Sequence, residues 1–355
     1  MYIATCGDGL VYRGKWRVDL GSIYVLEEGY LKKNIISLAK LPDSIISKVY
    51  LKLFEEKSSL STFLFHGLFC NEKEIALNLV DPQPWIFVEQ FRQFVEYYLD
   101  HDYTFVSPDD VLHGLKDYKK YVMVTFDDGY FNNQYALPIL KEYKIPAVFF
   151  ISTSHVKHNK CFWWDVIYRE RKELGTSTKE IIHEQNMLKT KTNKEIEKYL
   201  METFGENVLK PRGDIDRPFT PSELKDFSKE NYVFLGNHTS DHAILTNYSP
   251  DEIRLQILDA QNVIHEITGT TPIAISYPNG NYSDEIIRIS KENGFKLGVT
   301  AEYGKNYLPI DGQAMDCMRL GRFDISGSDN VLAQCELFRS DVLLYPLILN
   351  VLKRT

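Results

Sequence analysis

The residues with the clearest chemical potential are two adjacent carboxylates, Asp127 and Asp128, which are followed by Gly129. They end an apolar run, residues 121–126, whose alternation predicts a buried strand. Two like charges this close raise one pKa unless a cation compensates for them. The pair therefore predicts one metal ligand and one acid/base group.

A second pair of candidate ligands, His238 and His242, follows another apolar run at residues 232–235. Their i, i+4 spacing predicts that both imidazoles lie on one face of a helical turn and reach one ion. Together with Asp128 they would form a site of two histidines and one carboxylate, with positions left open for water.

An acidic pair can also be a simple helix start. Residues 107–110 read Ser-Pro-Asp-Asp, which combines a capping serine, Pro at the first helical position and acids in the first turn. We interpret that pair as structural. The pair at Asp127 ends a strand, where capping explains it less well.

Both motifs resemble those of the polysaccharide deacetylases, the carbohydrate esterase family 4 or NodB-homology enzymes. The first reads T-F-D-D-G at residues 125–129, and the second reads H-T-S-D-H at residues 238–242. Residues 145–151 look like the P-A-T-F-F-V strand of the family, and S-Y-P-N-G at residues 276–280 is similar to its Y-P-x-G motif. The resemblance covers about residues 60–330. It implies an α/β fold, a distorted (β/α) barrel that usually has seven strands.

The resemblance also implies a reaction, the hydrolysis of the N-acetyl amide of an N-acetylated sugar. Asp128, His238 and His242 would hold a divalent metal, with zinc expected and cobalt, nickel or manganese as alternatives. Asp127 would be the general base that takes a proton from water. The backbone N–H of Asn279, after the proline of the third motif, would complete the oxyanion site.

The chain departs from the family pattern at two places. Ser276 stands where many members carry an arginine that orients the base, and the late histidine that protonates the leaving amine is missing. His66, in a Phe-His-Gly sequence similar to the Tyr-His motif of the poly-N-acetylglucosamine deacetylases, is the candidate general acid, with a structural histidine as the alternative. Arg322 is the candidate replacement for the arginine, with an ordinary surface ion pair as the alternative.

Three aromatic residues are candidate substrate contacts. Tyr277 belongs to the third motif, and Trp163 and Trp164 are adjacent in the sequence. The tryptophans can form a wall on which a sugar stacks, although core packing is the simpler interpretation of such a pair.

From residue 62 onward, strand-like and helix-like segments alternate, which predicts a βα repeat. The candidate strands are residues 62–65, 121–126, 147–151, 232–235, 273–277, 296–300 and about 318–323. The candidate chemical residues, Arg322 included, are expected at or just past the C-terminal ends of these strands. In a (β/α) barrel that rim carries the active site.

Two helices are signalled by their ends. Residues 249–252, Ser-Pro-Asp-Glu, form a capping box ahead of an apolar face that Gly269 terminates. Similar signals predict a second helix over residues 283–294.

Three regions are predicted along the chain. Residues 1–58 are an N-terminal extension without an assigned role, and residues 59–335 are the NodB-like domain, with a Lys/Glu-rich helical insertion at about 155–230. Residues 336–355 are an apolar C-terminal tail, shorter than the ~20 residues that a membrane-spanning helix needs. We interpret the tail as packed on the domain, with a weak membrane-surface anchor near lipid-linked sugars as the alternative.

Composition excludes several classes of protein. A hydrophobic content of 44% supports a sizeable core, and a net charge of −8 argues against nucleic acid as a partner. The five cysteines lack any C-x-x-C spacing, which argues against zinc fingers and disulfide frameworks. Because the N-terminal sequence also lacks the pattern of a signal peptide, we expect a cytoplasmic protein with reduced thiols.

The favoured function is N-deacetylation of a polysaccharide or its precursor during the assembly of a surface polysaccharide. Two alternatives stay open at this point. One is an amidase of the same superfamily that acts on a small cyclic or ureido substrate. The other is a catalytically silent glycan-binding protein, which the missing arginine and histidine would explain.

Overall fold

The structure, a computed structural model, describes residues 45–82, 85–310 and 315–342 of the chain. Its strands are β1 (Ser59–Phe65), β2 (Leu68–Phe69), β3 (Ile86–Phe87), β4 (Thr104–Phe105), β5 (Lys120–Phe126), β6 (Ala147–Ile151), β7 (Val233–Asn237), β8 (Ala274–Ser276), β9 (Leu297–Val299), β10 (Asn306–Tyr307) and β11 (Arg322–Asp324). Its helices are α1 (residues 45–53), α2 (Glu72–Ala76), α3 (Val88–Asp100), α4 (Pro108–His113), α5 (Leu137–Tyr143), α6 (Thr153–His158), α7 (Trp163–Glu173), α8 (Thr178–Leu188), α9 (Asn193–Phe204), α10 (Pro221–Phe227), α11 (Pro250–Thr268), α12 (Asp284–Glu292) and α13 (Val331–Arg339).

Parallel strands curl into an incomplete barrel. β1, β5, β6, β7, β8 and β9 pair in that order, each parallel to the next. β11 pairs in parallel with β1, and Leu320 just ahead of it forms a single bridge to Val299 of β9, so the gap between β9 and β1 is only partly spanned. The predicted distorted (β/α) barrel is confirmed.

The barrel strands are apolar on both faces because helices cover their outer side and side chains fill their inner side. All seven residues of β1 are buried. Aromatic rings fill the layer between sheet and helices, where Phe126 and Phe149 stack with ring centroids 4.8 Å apart. The long apolar runs that were read as strands therefore reflect double-sided burial.

All seven candidate strands overlap observed ones, but the seventh, about 318–323, shares only residues 322–323 with β11. β11 begins only at Arg322, because residues 315–318 form a 3₁₀ turn in place of strand. The prediction that Arg322 follows the C-terminal end of a strand is therefore wrong. It is the first residue of its strand.

The end signals of the helices are confirmed. Ser249 caps α11 in a capping box, and Gly269 ends this helix with a φ of 77°. Ser283 caps α12, and Ser107 starts α4 through a capping box, as a structural acidic pair should.

The long connection between β6 and β7 is helical, as its pattern predicts. α7, α8 and α9 share a hydrophobic cluster of their own, which includes Trp163, Ile181 and Leu200. α10 differs because Leu224 and Phe227 pack into the main core under the barrel. The helices α7–α9 thus form a unit attached to the barrel rim.

The predicted terminal regions lie mostly outside the described residues, since 1–44 and 343–355 are not among them. The start of the tail at residue 336 is a wrong boundary, because α13 continues to Arg339. Four cysteines of the described part are free thiols. None of the helices within residues 45–82, 85–310 and 315–342 has the length and apolar character needed to cross a bilayer.

Candidate metal and catalytic site

Asp128, His238 and His242 meet in the barrel mouth. The Asp128 Oδ1 atom lies 3.5 Å from His238 Nε2 and 3.4 Å from His242 Nε2. One ligand atom of each residue falls within 4.8 Å of the other two. Asp128 Oδ1 is buried and has no hydrogen-bond partner in the described part of the protein. One carboxylate oxygen and two imidazole nitrogens are a donor set of zinc-type ions, so these residues fit a bound divalent metal.

The two imidazoles are both oriented toward Asp128, but their charge states differ. Burial acts to lower the pKa of His238, whereas Asp127 and then Asp128 outweigh it and raise that pKa. The His238 Nδ1–H donates to the Ser276 carbonyl oxygen at 2.8 Å, which leaves Nε2 free to face Asp128. Burial lowers the pKa of His242 to about 3, so that its ring is neutral. A neutral imidazole is the form that binds a metal.

The loop that carries both histidines is not the predicted helical turn. Thr239 and His242 have left-handed φ values of 63° and 53°. The Asn237 side chain accepts a hydrogen bond from the Thr239 N–H, and the Thr239 hydroxyl accepts one from the Ala243 N–H, both at 2.8 Å. These side-chain bonds replace helical ones and still bring the two rings to a centroid separation of 4.8 Å.

Asp127 is held by a buried guanidinium. Arg322 donates to both of its carboxylate oxygens, at 2.8 and 2.9 Å, and the Ser276 hydroxyl donates to one of them at 3.0 Å. Burial acts to raise the pKa of Asp127, but Arg322 and then His238 outweigh it and hold that pKa well below its usual range. The carboxylate is therefore ionised, and its position is fixed by a two-point bond.

A cavity of about 300 Å³ gathers nearly all the predicted site residues. The predicted residues that line it are His66, Asp127, Asp128, Trp163, Trp164, His238, His242, Asn279 and Arg322.

Tyr277 is the exception, and its prediction as a substrate contact is wrong. Its side chain is fully buried in a cluster under α11 and α12, and its hydroxyl donates to the Met318 carbonyl oxygen at 2.9 Å. Successive residues of an extended segment point to opposite sides. Because Ser276 faces Asp127, Tyr277 faces the core.

The two tryptophans have different surroundings, since Trp163 belongs mainly to the core and Trp164 borders the cavity. Trp163 is only 4% exposed and packs mainly in the core of the helical insertion. The Trp164 ring lies with its centroid 4.5 Å from that of His242, and its indole N–H donates to the Tyr130 hydroxyl at 3.1 Å. Trp164 thus forms an aromatic side of the cavity next to the metal ligands.

His66 and Asn279 lie at the rim. The His66 Nδ1 atom is buried without a hydrogen-bond partner among the described residues, and its carbonyl oxygen accepts from the Asn133 amide at 2.6 Å. Asn279 lies in the turn Pro278–Gly280 with a φ of 58°. Its side-chain amide donates to the Asn281 side chain at 2.9 Å, and the residue lines the cavity.

Asn132 is a site residue that sequence reasoning missed. It is 1% exposed, it lines the cavity, and neither its amide oxygen nor its amide nitrogen has a partner within the described part of the chain. A Cβ on Gly67 would come within 2.9 Å of this amide. Gly67 is therefore the signal in the sequence for this residue, because a larger side chain at position 67 would collide with the Asn132 amide.

Comparison with known proteins agrees with the motifs. A family model described as polysaccharide deacetylase matches residues 115–298, more than half of the chain. YxkH of Bacillus subtilis (strain 168), named as a polysaccharide deacetylase, is 22% identical over 221 residues, 61% of this chain and 58% of that protein. A peptidoglycan-N-acetylglucosamine deacetylase of Bacillus cereus is 29% identical over 77 residues, 22% of this chain and 28% of its own length. The chain therefore spans less than two thirds of both curated relatives.

Solved structures share the fold at low identity. The Streptococcus pyogenes deacetylase PplD, in complex with acetate, aligns with a TM-score of 0.54 and 20% identity, over 79% of this chain and 99% of that one. IcaB from Ammonifex degensii aligns with a TM-score of 0.51 and 18% identity, over 79% and 98%. With its matched family model, its motifs and this fold, the chain belongs to the polysaccharide deacetylase family.

Proposed function

We propose that the protein hydrolyses the N-acetyl amide of an N-acetylated sugar, in a polysaccharide or its precursor, with the help of a divalent metal. One observation carries this proposal. The metal-ligand group, an ionised carboxylate held by Arg322 and the aromatic face of Trp164 line the same cavity. Amide hydrolysis requires an activated water, a base, an acid and oxyanion stabilisation, and the cavity has a candidate for each.

Asp128, His238 and His242 would hold the ion, with zinc as the expected metal. When bound, a zinc-type ion acidifies water and polarises a carbonyl oxygen. The rest of the chemistry falls to side chains and backbone of the cavity.

Asp127 is the proposed base. Its ionised carboxylate can accept a proton from water, and its two bonds to Arg322 fix the direction from which it does so. Ser276, which stands where relatives carry arginine, adds a hydroxyl bond to the same carboxylate. Arg322 therefore takes over the orienting role from a different strand, as a positioning residue.

His66 is the proposed acid for the leaving amine, because its buried Nδ1 is unpaired and lines the cavity. The backbone N–H of Asn279 is the proposed oxyanion donor. Asn132 is a proposed substrate contact, since its amide can donate to and accept from sugar hydroxyls. Trp164 offers an apolar ring face to the sugar.

A second candidate function, favoured by the size of the cavity, is that of an amidase that acts on a small cyclic or ureido substrate. Its volume of about 300 Å³ lies at the small end of ligand pockets. The silent glycan-binding alternative was motivated by a missing arginine and a missing histidine. Arg322 and His66 now line the cavity with the motif residues, which favours an enzyme.

The cellular setting is a further part of the proposal. We infer action in the cytoplasm on a glycan or lipid-linked sugar precursor, with weak membrane-surface association through the apolar C-terminal residues. Their sequence supports the association, because residues 342–349 are almost entirely apolar. Sedimentation with lipid vesicles tests it, since a chain ending at Val342 should then lose any binding.

The decisive experiment measures acetate released from N-acetylated sugars by the zinc-loaded protein. Acetate is expected from the parent chain and not from Asp127→Asn, while His66→Ala should release acetate more slowly. Acetate release by Asp127→Asn at the parent rate would overturn the assignment of the base. One bound metal per chain without acetate from any sugar would favour the small-substrate amidase.

A further inference from the structure

One face of α8 forms part of the cavity surface. Ile182, Gln185 and Asn186 line the cavity at the spacing of a single helix face, and Lys189 follows one turn later. The two tryptophans at the start of α7 continue this surface toward the metal ligands. We call this surface the insertion wall, made up of Trp163, Trp164, Ile182, Gln185, Asn186 and Lys189.

The insertion wall is tied to the loop that follows β1. The Gln185 amide donates to Asp81 at 2.6 Å, and the backbone N–H of Asp81 donates to Asp165 of α7 at 2.7 Å. The Tyr130 hydroxyl donates to the other oxygen of Asp165, also at 2.7 Å. α7 and α8 are thus both held to loops of the barrel rim by buried bonds.

The other end of the wall is tied to the loop that follows β7. The Asn247 amide donates to the carbonyl oxygens of Lys189 and Lys191, at 2.8 and 3.0 Å. The backbone N–H of Asn193, at the start of α9, donates to the Tyr248 hydroxyl at 2.7 Å. This loop is continuous with the segment that carries His242.

These two attachments close one side of the cavity. In the sheet, β5 and β6 lie between β1 and β7, so a wall fixed to the loops of β1 and β7 stands above β5 and β6. The remaining rim, from the loops after β8 and β9, presents small residues such as Gly280 and Ala301. The cavity is therefore lined by larger side chains along the insertion wall than at Gly280 and Ala301.

We propose that the protein removes acetyl from a residue at the end of a glycan, or from a free N-acetylated sugar, and not from residues inside a chain. An internal residue needs room for the chain on both of its sides, and the insertion wall occupies one of them. The proposal rests on the proposed N-acetyl hydrolase function, and it narrows the substrate class of that same site.

The test uses the full-length, zinc-loaded protein and N-acetylglucosamine and N-acetylgalactosamine oligomers from monomer to hexamer, labelled at the reducing end. Tandem mass spectrometry then locates the free amine. A single terminal amine on every oligomer, with a rate that does not increase with length, is expected. Amines at internal positions would overturn the inference and leave the proposed function intact. Absence of acetate from the whole panel would overturn the proposed function and this inference with it.

A pair of wall variants tests the cause. Ile182→Ala/Asn186→Ala lowers the wall and should allow internal amines to form on the hexamer. The matched control Met187→Ala lies on the same helix, is 55% exposed and does not line the cavity, so it should retain the terminal pattern. A terminal pattern in the folded double variant would show that something other than the wall selects the chain end, and would overturn the proposed cause.

Discussion

Among single residues, Arg322 and Asp127 form a buried ion pair at the candidate site. The side chains are only 1% and 5% exposed, so neither charge has water to compensate it. Removing one partner of such a buried pair leaves the other as an isolated charge, which is strongly destabilising. The stability of the fold and the position of the proposed base therefore depend on the same two hydrogen bonds from Arg322.

Arg322→Met is expected to lower the free energy of unfolding by about 3–5 kcal/mol, measured by urea denaturation. The double variant Asp127→Asn/Arg322→Met removes both charges, and most of the loss should then be regained, although activity stays absent. A double variant as unstable as the single one would show that Arg322 stabilises the barrel by packing and not by charge pairing.

A second prediction concerns Asn132, whose buried amide has no hydrogen-bond partner among the described residues. Each buried polar group without a partner costs about 1–3 kcal/mol, so Asn132→Leu should be at least as stable as the parent chain in thermal unfolding. Its acetate release should nevertheless fall, because the proposed substrate contact is gone. The matched control Asn133→Leu loses the bond to the His66 carbonyl oxygen and should be less stable. Full activity in Asn132→Leu would remove it from the binding site.

At the scale of elements, the site loops depend on backbone conformations that sequence patterns do not reveal. Asp128, Thr239, His242 and Asn279 all have left-handed φ values, between 53° and 77°. Such conformations are unfavourable for residues other than glycine and cluster at functional sites. The i, i+4 spacing of the histidines therefore predicts their proximity, which the structure shows, but the predicted helical turn between them is wrong.

Metal binding can be predicted from the loops that carry the ligands. Because a ligand that binds only the folded state stabilises it, by about 2.7 kcal/mol at a hundred times its Kd, zinc should raise the melting temperature of the parent chain. Asp128→Asn should abolish most of this shift. His158→Gln, a change at an exposed histidine outside the ligand group, should retain it. Equal shifts in all three proteins would place the zinc elsewhere.

The attachment of α7 gives a prediction about pH. Burial raises the pKa of Asp165 well above its ordinary value, although the hydrogen bond from Tyr130 opposes this. With a folded pKa above the unfolded one, the stability from Asp165 is complete below about pH 4 and is lost as the pH rises through the folded pKa. Asp165→Asn lacks this titration. Its stability relative to the parent chain should therefore increase between about pH 5 and about pH 8, measured by urea unfolding. An unchanged difference would mean that Asp165 is ionised throughout.

The elements that could be predicted from the sequence are those with local signals. Strand alternation and helix caps located most of the barrel, and the two motifs named three residues that the structure brings together as a candidate metal group. The partner of Asp127 could not be found in this way, because Arg322 lies 195 residues away and only the closing of the barrel brings the two together. The prediction that Tyr277 contacts substrate is wrong for a related reason, because the way in which the sheet packs against its helices decides which face a side chain occupies.

At the scale of the whole molecule, the chain beyond the barrel is part of the fold as far as residue 341. Arg339 pairs with Glu56 at 2.6 Å, and Asp341 pairs with Lys305 at 2.7 Å. Asp341 also accepts a hydrogen bond from the Lys57 N–H at 2.8 Å. Arg339 and Asp341 thus connect the segments that flank β1 and β10.

Two truncations locate the boundary. A chain that ends at Val342 keeps these pairs. A chain that ends at Phe338 lacks Arg339, one of the partners of Glu56 beside Lys120, and Asp341, the partner of Lys305. It should therefore unfold at a lower temperature than the chain that ends at Val342, by calorimetry. Identical melting temperatures for the two shortened chains would show that these terminal pairs contribute nothing to stability.

The position of Arg322 in the last strand has a consequence for how the enzyme is made. During synthesis on the ribosome, Asp127 and the three candidate metal ligands are added well before Arg322, whose guanidinium compensates the charge of Asp127. Until β11 pairs with β1, Asp127 lacks the guanidinium that donates to both of its carboxylate oxygens. The proposed base therefore gains its fixed position only when β11 joins the sheet.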